Sequence, residues 1–283
     1  MGISIVIATY NRAEILPKTL DSISRQSYDS WEVIVVDDGS TDDTEKVVEK
    51  YRSMGVRYIK TPHRGSPHAW NTGVYEAEER YIFLVGDDVI LAPNCLERLM
   101  EARKRLPRRI GGIAPRLIYV RDMERKHSPM RSHDEYLHID RLTGDVRGFP
   151  DVPLEGLVEV EMIHGYSLVD REAFLDVGGF DTATYTGNFY REETDLWMRM
   201  RKRGYRLYYE PEAEIYVRKG LTTGGQWANV GGSLLKYEYY VLRNHYAYLR
   251  KFYGLERYFM FPLFILRRLN DRVREYLLAR RER

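Results

Sequence analysis

Short apolar runs alternate with helically spaced segments along the first 110 residues of the chain. The runs at 3–8, 32–36, 56–59 and 81–85 are short and mostly continuous, which is typical of strands buried on both faces of a parallel sheet. Between them, apolar residues recur three or four positions apart, a spacing that indicates helices. The alternation predicts an α/β fold with a mostly parallel central sheet. The predicted helices span 13–25, 40–53, 67–78 and 93–104.

The pattern loses its regularity after Ile110. Residues 121–153 mix charged side chains with histidine, glycine and proline, which predicts a long loop or a loose hairpin of the kind that often binds a ligand. Its histidines, His127, His133 and His138, lack the spacing of a helical zinc site, so we expect them to be solvated. Strands are predicted over 158–163 and 205–209, and helices over 192–203, 236–253 and from 255 to the end.

Composition narrows the class of protein. Hydrophobic residues make up 43% and aromatic residues 13%, which excludes a disordered chain. The single cysteine, Cys95, excludes an internal disulfide framework and a multi-cysteine zinc site. A net charge of +2 argues against a dedicated nucleic-acid binder. The charged fraction of 30% and the scarcity of glutamine favour a thermophilic source.

No apolar run approaches the length of a membrane span. The first four residues lead directly into an apolar strand rather than a signal peptide. The sequence therefore predicts a cytoplasmic location, with a peripheral position on the cytoplasmic face of the membrane as a variant of it.

Basic charge is concentrated at the C-terminal end. Residues 236–283 contain 12 Lys or Arg and 5 Asp or Glu, a net charge of +7. Within them, the uncharged segment 258–266 is followed by four arginines, which suits the surface of an anionic membrane. We therefore expect a peripheral membrane contact through residues 255–283. Packing on the domain, a homodimer contact and binding of an acidic glycan are the alternatives.

Three of the predicted strands end in polar clusters, at 9–11, 37–40 and 86–88. Ligands of α/β sheets bind beyond the carboxyl ends of the strands. Asp87 and Asp88 are adjacent carboxylates, and a divalent cation would relieve their repulsion. A solvated turn before the next helix is the alternative.

Asp38 is expected to accept hydrogen bonds from a nucleoside base or ribose, within reach of Thr9 and Asn11. Arg64 lies in a loop with glycine, proline and histidine, where it can pair with a phosphate. Turn and helix-cap chemistry is the alternative for the Asp-Asp-Gly-Ser segment.

These motifs together closely resemble those of the family 2 glycosyltransferases, and the resemblance covers about residues 3–217. It implies a GT-A fold, with a Rossmann-like, mostly parallel central sheet followed by C-terminal helices. It also implies inverting transfer of a sugar from a UDP- or GDP-sugar to a hydroxyl group of a glycan or lipid-linked acceptor. The favoured sugar is a hexose. The matching segments are 4–12, 27–28, 33–42, 71–73, 83–88, 178–181 and 192–199.

The resemblance divides the chain into three parts. Residues 1–110 form the nucleotide-sugar-binding half, residues 111–235 the acceptor-side, catalytic half of the same domain, and residues 236–283 the basic, aromatic C-terminal helices.

The resemblance also assigns roles to individual residues. Inversion needs a carboxylate that takes the acceptor proton and a cation that stabilises the departing diphosphate. Three acids at the start of a helix are also favoured by its dipole alone. The implied roles are base for Glu193, beside Glu192 and Asp195; Mn²⁺ or Mg²⁺ binding for Asp88 and Asp87; nucleotide binding for Thr9, Tyr10, Asn11, Arg12, Asp38, Arg64 and Asp87; and acceptor binding for His164 and Trp197.

The sequence departs from the family pattern at four positions. Gly86 stands where the metal motif often has an acid, and Glu193 replaces the usual aspartate. Trp70 replaces an arginine, which removes a phosphate contact or offers a stacking face. Arg218 replaces a histidine, and it or Lys219 is placed to neutralise the diphosphate.

The sequence leaves one alternative function open and argues against another. The departures favour, as the alternative, a catalytically inactive module that binds a sugar nucleotide or a partner. A nucleotidyltransferase would need a glycine-rich, basic phosphate loop that residues 9–12 do not supply.

Overall fold

The computed structural model describes residues 1–120, 135–218 and 230–281. Its strands are β1 (Ile3–Thr9), β2 (Trp31–Asp37), β3 (Arg57–Lys60), β4 (Tyr81–Gly86), β5 (Val89–Leu91), β6 (Ile110–Val120), β7 (His138–Ile139), β8 (Val146–Arg147), β9 (Val158–Val160), β10 (Leu168–Asp170) and β11 (Arg206–Arg218). Its α-helices are α1 (Leu16–Ser24), α2 (Thr44–Glu49), α3 (Ser66–Glu76), α4 (Cys95–Arg105), α5 (Arg171–Asp176), α6 (Glu192–Lys202), α7 (Leu234–Phe252) and α8 (Arg257–Arg281).

A nine-stranded sheet organises the described residues, in the order β3-β2-β1-β4-β10-β6-β11-β5, with β9 paired to β11. Strands β3, β2, β1 and β4 are parallel, as the alternating pattern predicted. Strand β10 is antiparallel to both β4 and β6, so it joins the first half of the sheet to the second. The carboxyl ends of β1, β2 and β4 consequently meet at one edge.

Side chains of alternate strand residues enter two cores, one on each face of the sheet. Ile3, Ile5 and Ile7 pack with α1, α2 and α4. Val6, from the same strand, packs with α3, α5 and α6 on the opposite face. Burial on both faces explains why the strands are continuously apolar.

Strand β6 was not predicted, because glycine and proline discourage a central strand. Gly112 is required there, since a Cβ atom would lie 2.9 Å from the Ile163 side chain and 3.2 Å from the Leu168 carbonyl. Pro115 pairs with Glu210 beside a bulge in β11, where its missing N–H group is tolerated. The short elements β5, β10 and α5 were also not predicted, and α2 is shorter than the predicted helix.

The 121–153 prediction falls partly outside the described residues, which resume at 135. There β7 and β8 form a two-stranded antiparallel hairpin, in agreement with a loose hairpin. His127 and His133 lie outside the described residues. His138 was expected to be solvated but is half-buried, and its Nδ1 lies 3.0 Å from the Tyr136 carbonyl.

Candidate active site

The carboxyl ends of β1 and β2 are joined by side chains that the sequence assigned to nucleotide binding. The backbone of Asn11 has a left-handed φ of 51°, its amide donates to Ser40 Oγ at 2.8 Å, and its Oδ1 accepts from the Thr41 amide at 2.8 Å. The Tyr10 ring stacks on His63 with centroids 4.0 Å apart. These contacts build one wall of a candidate site.

The two aspartates at the end of β2 have their own protein partners. Asp37 is buried and accepts hydrogen bonds from the Ser40 amide at 2.7 Å and the Tyr58 hydroxyl at 2.5 Å. Asp38 accepts from the backbone amides of Arg64 at 2.8 Å and Gly65 at 2.7 Å. The structure therefore shows Asp38 holding the loop that carries Arg64. Thr9 is buried below this wall.

Asp87 and Asp88 follow β4, beside the end of β1. Burial and the neighbouring Asp88 charge raise the pKa of Asp87 to about 7. Burial also raises the pKa of Asp88, and the Arg12 charge opposes both rises. Arg12 Nε lies 3.9 Å from Asp87 Oδ1. The predicted metal pair and Arg12 are thus brought together at the wall formed by β1 and β2.

The residues present fit a cation site that has only two protein carboxylates, Asp87 and Asp88. A Cβ atom at Gly86 would lie 3.0 Å from Asp88 Oδ1 and 3.1 Å from the Tyr166 hydroxyl, so this position places no acid beside Asp88. In the described parts of the chain, no group of three or more His, Cys, Asp or Glu could hold a metal by itself. Two repelling carboxylates still suit Mg²⁺ or Mn²⁺, since Mg²⁺ often takes one or two carboxylates and completes its shell with substrate phosphates.

A second pair of adjacent carboxylates, Glu192 and Glu193, lies at the start of α6. Burial and the Glu193 charge raise the pKa of Glu192 well above its ordinary value. Burial raises the pKa of Glu193 to about 7, and the Gly165 amide opposes this rise. Glu192 is buried, whereas Glu193 is partly exposed. Gly165 lies so close that a Cβ atom there would be 2.1 Å from Glu193 Oε1.

Two tyrosines lie near the acidic pairs, the buried Tyr166 and the half-exposed Tyr119, and sequence reasoning missed both. Burial raises the pKa of Tyr166 and of Tyr119, and the charges on Asp88 and Glu193 raise both further. Both tyrosines are therefore within electrostatic range of both acids. The signal for Tyr166 was its place two residues after His164. Tyr119 gave no signal, because it lies at the end of the unpredicted strand β6.

Asp195 does not fit the catalytic role that was expected of it. Its carboxylate is completely buried. It binds Tyr185 Oη at 3.1 Å, Arg199 Nε at 2.6 Å and Lys251 Nζ at 2.7 Å. Because its carboxylate is buried and bound by these three side chains, Asp195 has no room for a substrate, and we assign it a structural role that ties α6 to α7.

Trp197 and Trp70 are core residues rather than ligand-stacking surfaces. Trp197 is completely buried among the residues of the α3, α5 and α6 face, so it does not provide the floor of an acceptor site. Trp70 packs on Phe180 at 5.5 Å, and its Nε1 lies 3.4 Å from the Val85 carbonyl.

His164 is held in one tautomer. Its Nε2 donates to the Pro115 carbonyl at 2.8 Å, and burial lowers the pKa of the ring to about 4. The ring is therefore neutral near pH 7, with Nδ1 as an acceptor. Contact with the acceptor substrate stays a prediction. Lys219 and the side chain of Arg218 lie outside the described part of the chain, so their predicted diphosphate role does too.

Three of the four arginines that follow the uncharged segment 258–266 bind carboxylates of the protein itself, although a membrane-facing role was expected of them. Arg267 pairs with Asp140 at 2.6 Å, Arg268 pairs with Glu238 at 2.9 Å, and Arg272 also pairs with Glu238. Within 1–120, 135–218 and 230–281, no helix combines the length and the apolar character that crossing a bilayer requires. Helix α8 nevertheless exposes large apolar side chains at Phe259, Leu263, Leu266, Leu269, Val273 and Leu277.

Comparison with known proteins identifies the family of this chain. Residues 4–178 match the model of glycosyl transferase family 2. The poly-beta-1,6-N-acetyl-D-glucosamine synthase of Staphylococcus aureus strain COL is 26% identical over 270 residues, covering 94% of this chain and 60% of the synthase. The chain thus spans less than two thirds of that relative's length.

Solved structures share the fold at lower identity. Mannosyltransferase PcManGT from Pyrobaculum calidifontis, in complex with GDP-Man and Mn²⁺, has a TM-score of 0.59 at 20% identity, covering 88% of this chain and 64% of PcManGT. TarS 1–349 from S. aureus, in complex with UDP-GlcNAc, has a TM-score of 0.58 at 18% identity, covering 77% and 59%. The predicted GT-A fold is confirmed. The family match covers more than half of the chain, which therefore belongs to glycosyl transferase family 2.

Proposed function

We propose that this chain transfers a sugar from a nucleoside diphosphate sugar to a hydroxyl group with inversion at the anomeric carbon. The observation that carries the proposal is that acids from both pairs lie beside the Gly165–Tyr166 segment. Asp88 Oδ1 and the Tyr166 hydroxyl lie 3.0 and 3.1 Å from the position of a Cβ atom at Gly86, and Glu193 Oε1 lies 2.1 Å from that of a Cβ atom at Gly165. One acid in each pair has a pKa of about 7. Such perturbed acids are typical of sites that bind cations and move protons.

The donor is proposed to lie along the wall at the ends of β1 and β2. Tyr10, Asn11 and the loop held by Asp38 would contact the nucleoside, and Arg64 and Arg12 would approach the phosphates. UDP-N-acetylglucosamine is the first donor to test, because the relatives named above include a poly-N-acetylglucosamine synthase and a structure with UDP-GlcNAc. A GDP-sugar is the second, because PcManGT was solved with GDP-Man.

Glu193 is proposed to be the base. As the acceptor oxygen forms its bond to the anomeric carbon, the bond from that carbon to the diphosphate oxygen breaks and Glu193 takes the hydroxyl proton. A base with a pKa near the working pH is efficient in both accepting and releasing that proton. Asp88, with Asp87, would hold Mn²⁺ or Mg²⁺, which neutralises charge on the departing diphosphate.

Donor binding is tested by thermal stabilisation with UDP, GDP, ADP and CDP, each with and without Mn²⁺ or Mg²⁺. A ligand that binds only the folded state raises the melting temperature. We expect a metal-dependent rise with UDP or GDP that is lost in Asp88→Asn and kept in Asp29→Asn, an exposed control. A metal-independent rise would refute the cation role, and no rise with any nucleotide would refute the donor site.

Sugar transfer is tested with diphosphate sugars of the nucleoside identified by thermal stabilisation. Glu193→Gln should retain nucleotide binding but lose activity by about 10²- to 10⁴-fold, the usual contribution of a positioned base. Asp195→Asn serves as the contrast: it should lower the melting temperature, and its activity loss should follow its loss of folded protein. Nucleotide binding without transfer or donor hydrolysis would favour the inactive binding module instead.

The exposed apolar side chains of α8 are proposed to contact a membrane surface that presents a lipid-linked acceptor. Because the nearby arginines are already ion-paired, this binding should depend little on anionic lipid. Co-sedimentation with zwitterionic vesicles should be lost in Phe259→Asp/Leu266→Asp. If the wild-type protein does not sediment with vesicles but has twice the monomer mass in light scattering, a second copy covers this face instead.

A further inference from the structure

A basic cavity lies at the edge of the sheet opposite the candidate active site. Its lining includes Tyr81 at the start of β4, Arg109 just before β6 and Tyr205 just before β11. Asp87 lies beyond the other end of β4. The cavity has a volume of about 690 Å³, within the usual range of small-molecule sites.

The cavity contains more positive charge than the protein neutralises. Its only carboxylates among the described lining residues, Asp170 and Glu172, lie 3.0 and 3.5 Å from Arg80. In the described part of the chain, the other four cations have no carboxylate within ion-pair distance. These four are Arg103, Lys104, Arg108 and Arg109.

Arg103 gives the strongest support for an anion site in this cavity. It is only 8% exposed, its guanidinium lies 5.4 Å from the Tyr81 ring centroid, and one amine donates to the Leu106 carbonyl at 3.1 Å. Its Nε is buried with no hydrogen-bond partner among the described residues. A buried charge without a counter-ion is costly.

Helix capping does not account for the whole cluster. The carboxyl end of α4 favours basic residues such as Arg103 and Lys104 through its dipole. Arg108 and Arg109 lie beyond the helix. Arg109 is fixed in place, since its Nη2 donates to the Arg203 carbonyl at 2.7 Å and its guanidinium lies 5.1 Å from the Tyr205 ring.

We propose that this cavity is a second binding site, for a small soluble molecule that carries two or more phosphate groups. Phosphate oxygens accept charge-assisted hydrogen bonds from guanidinium groups, and four unneutralised cations match a doubly phosphorylated ligand better than a single anion. The site is independent of the proposed transfer reaction and of its metal.

The proposal is tested by calorimetric titration with inorganic pyrophosphate in EDTA. Lys104→Gln/Arg108→Gln changes two exposed side chains and should weaken binding about tenfold, as expected for loss of hydrogen bonds to charged groups. The control Lys18→Gln/Lys50→Gln removes the same charge from exposed positions outside the cavity and should bind as the wild type does. Any pyrophosphate in the donor site contributes equally to all three proteins.

A crystal soaked in tungstate locates the anion directly by anomalous scattering. We expect a tungsten atom in the cavity, in contact with Arg103 or Arg109. Equal pyrophosphate affinities in the two double variants, or tungstate bound only elsewhere, would overturn the proposal. Neither result depends on whether the chain transfers a sugar.

Discussion

At the scale of single residues, the candidate active site is a place where the fold accepts unfavourable electrostatics. Asp87 and Glu193 are ordinary acids whose pKa values rise to about 7 because the surrounding protein removes water from them. Each also has an acidic sequence neighbour. A protein under selection for stability alone would not keep two such pairs, so their presence favours a functional reason.

We expect Asp87→Asn to stabilise the protein above pH 7. The folded pKa of Asp87, about 7, is above its ordinary value of 3.8. Between these values the native state binds more protons than the unfolded chain, so stability falls as pH rises. Asparagine does not titrate, so the substitution removes this contribution to the fall in stability. Urea unfolding at pH 5 and pH 8 should show a smaller fall for Asp87→Asn than for the wild type or for Asp29→Asn, and an equal fall in all three would contradict it.

We expect Gly165→Ala to displace the Glu193 carboxylate. A Cβ atom at Gly165 would lie 2.1 Å from Glu193 Oε1, so the two groups cannot both keep their positions. Transfer should fall by about 10²-fold, the usual effect of misplacing a reacting group by about 1 Å, while nucleotide binding persists. Gly254→Ala is the control, because its Cβ atom would meet nothing closer than 3.5 Å. Wild-type activity in Gly165→Ala would show that Glu193 moves without consequence.

At the scale of elements, the start of α6 is held from outside the sheet. Arg191, which precedes Glu192, has a left-handed φ of 84°. Its guanidinium binds Asp145 beside the β7–β8 hairpin at 2.5 Å and His245 of α7 at 3.1 Å. Arg191 thus connects the start of α6, where the proposed base lies, to the C-terminal helices.

Arg191→Gly separates the backbone role of this residue from its side-chain role, because glycine adopts the left-handed conformation freely. If the guanidinium positions α6, kcat should fall about 10²-fold with KM for the donor little changed, and Arg191→Lys should recover only part of it. Steady-state kinetics at a temperature where all variants remain folded measures this. An unchanged kcat in Arg191→Gly would show that the backbone conformation at this position is sufficient and that the guanidinium does not position α6.

The elements that sequence analysis predicted well are those whose own residues determine them. Strand β1 is apolar throughout because both of its faces are buried, and α6 begins with three acids that favour a helix start. Strand β6 could not be predicted, since Gly112 and Pro115 are explained only by Ile163, Leu168 and the bulge in β11. Contacts distant in sequence leave no local pattern.

The same division holds within the candidate site. The strand-end acids Asp87 and Asp88 were identified from their position after an apolar run, and the structure places them at the sheet edge as expected. The structural roles of Asp195 and Trp197 were not identified from the sequence. An acid or a tryptophan in an amphipathic helix has the same sequence pattern whether it faces a ligand or the core. Their burial depends on Lys251 of α7 and on the helix–sheet packing.

At the scale of the whole molecule, the charge asymmetry of the sequence is partly neutralised by folding. The basic segment 236–283 has a net charge of +7, and two of its cations pair with carboxylates outside it, Arg267 with Asp140 and Lys251 with Asp181. Arg268 and Arg272 pair with Glu238 inside the segment and so join α8 to α7. The contacts of Arg267, Lys251 and His245 with Asp140, Asp195 and Arg191 join α7 and α8 to residues 135–218. We therefore regard the helices as part of the same cooperative unit, and not as an appended tail.

Phe264→Ala tests this cooperativity. The Phe264 ring on α8 is only 2% exposed, stacks on His245 at 3.7 Å and lies 6.0 Å from the Arg191 guanidinium. Truncation of a buried phenylalanine costs about 3–5 kcal/mol. Because the ring supports Arg191, the cost should lower the single melting transition of the whole chain and also lower kcat. Leu235→Ala, at a position 84% exposed on α7, should change neither. Calorimetry that resolves a separate low-temperature transition in Phe264→Ala, with kcat unchanged, would instead show that α8 unfolds on its own and that the proposed base is positioned without it.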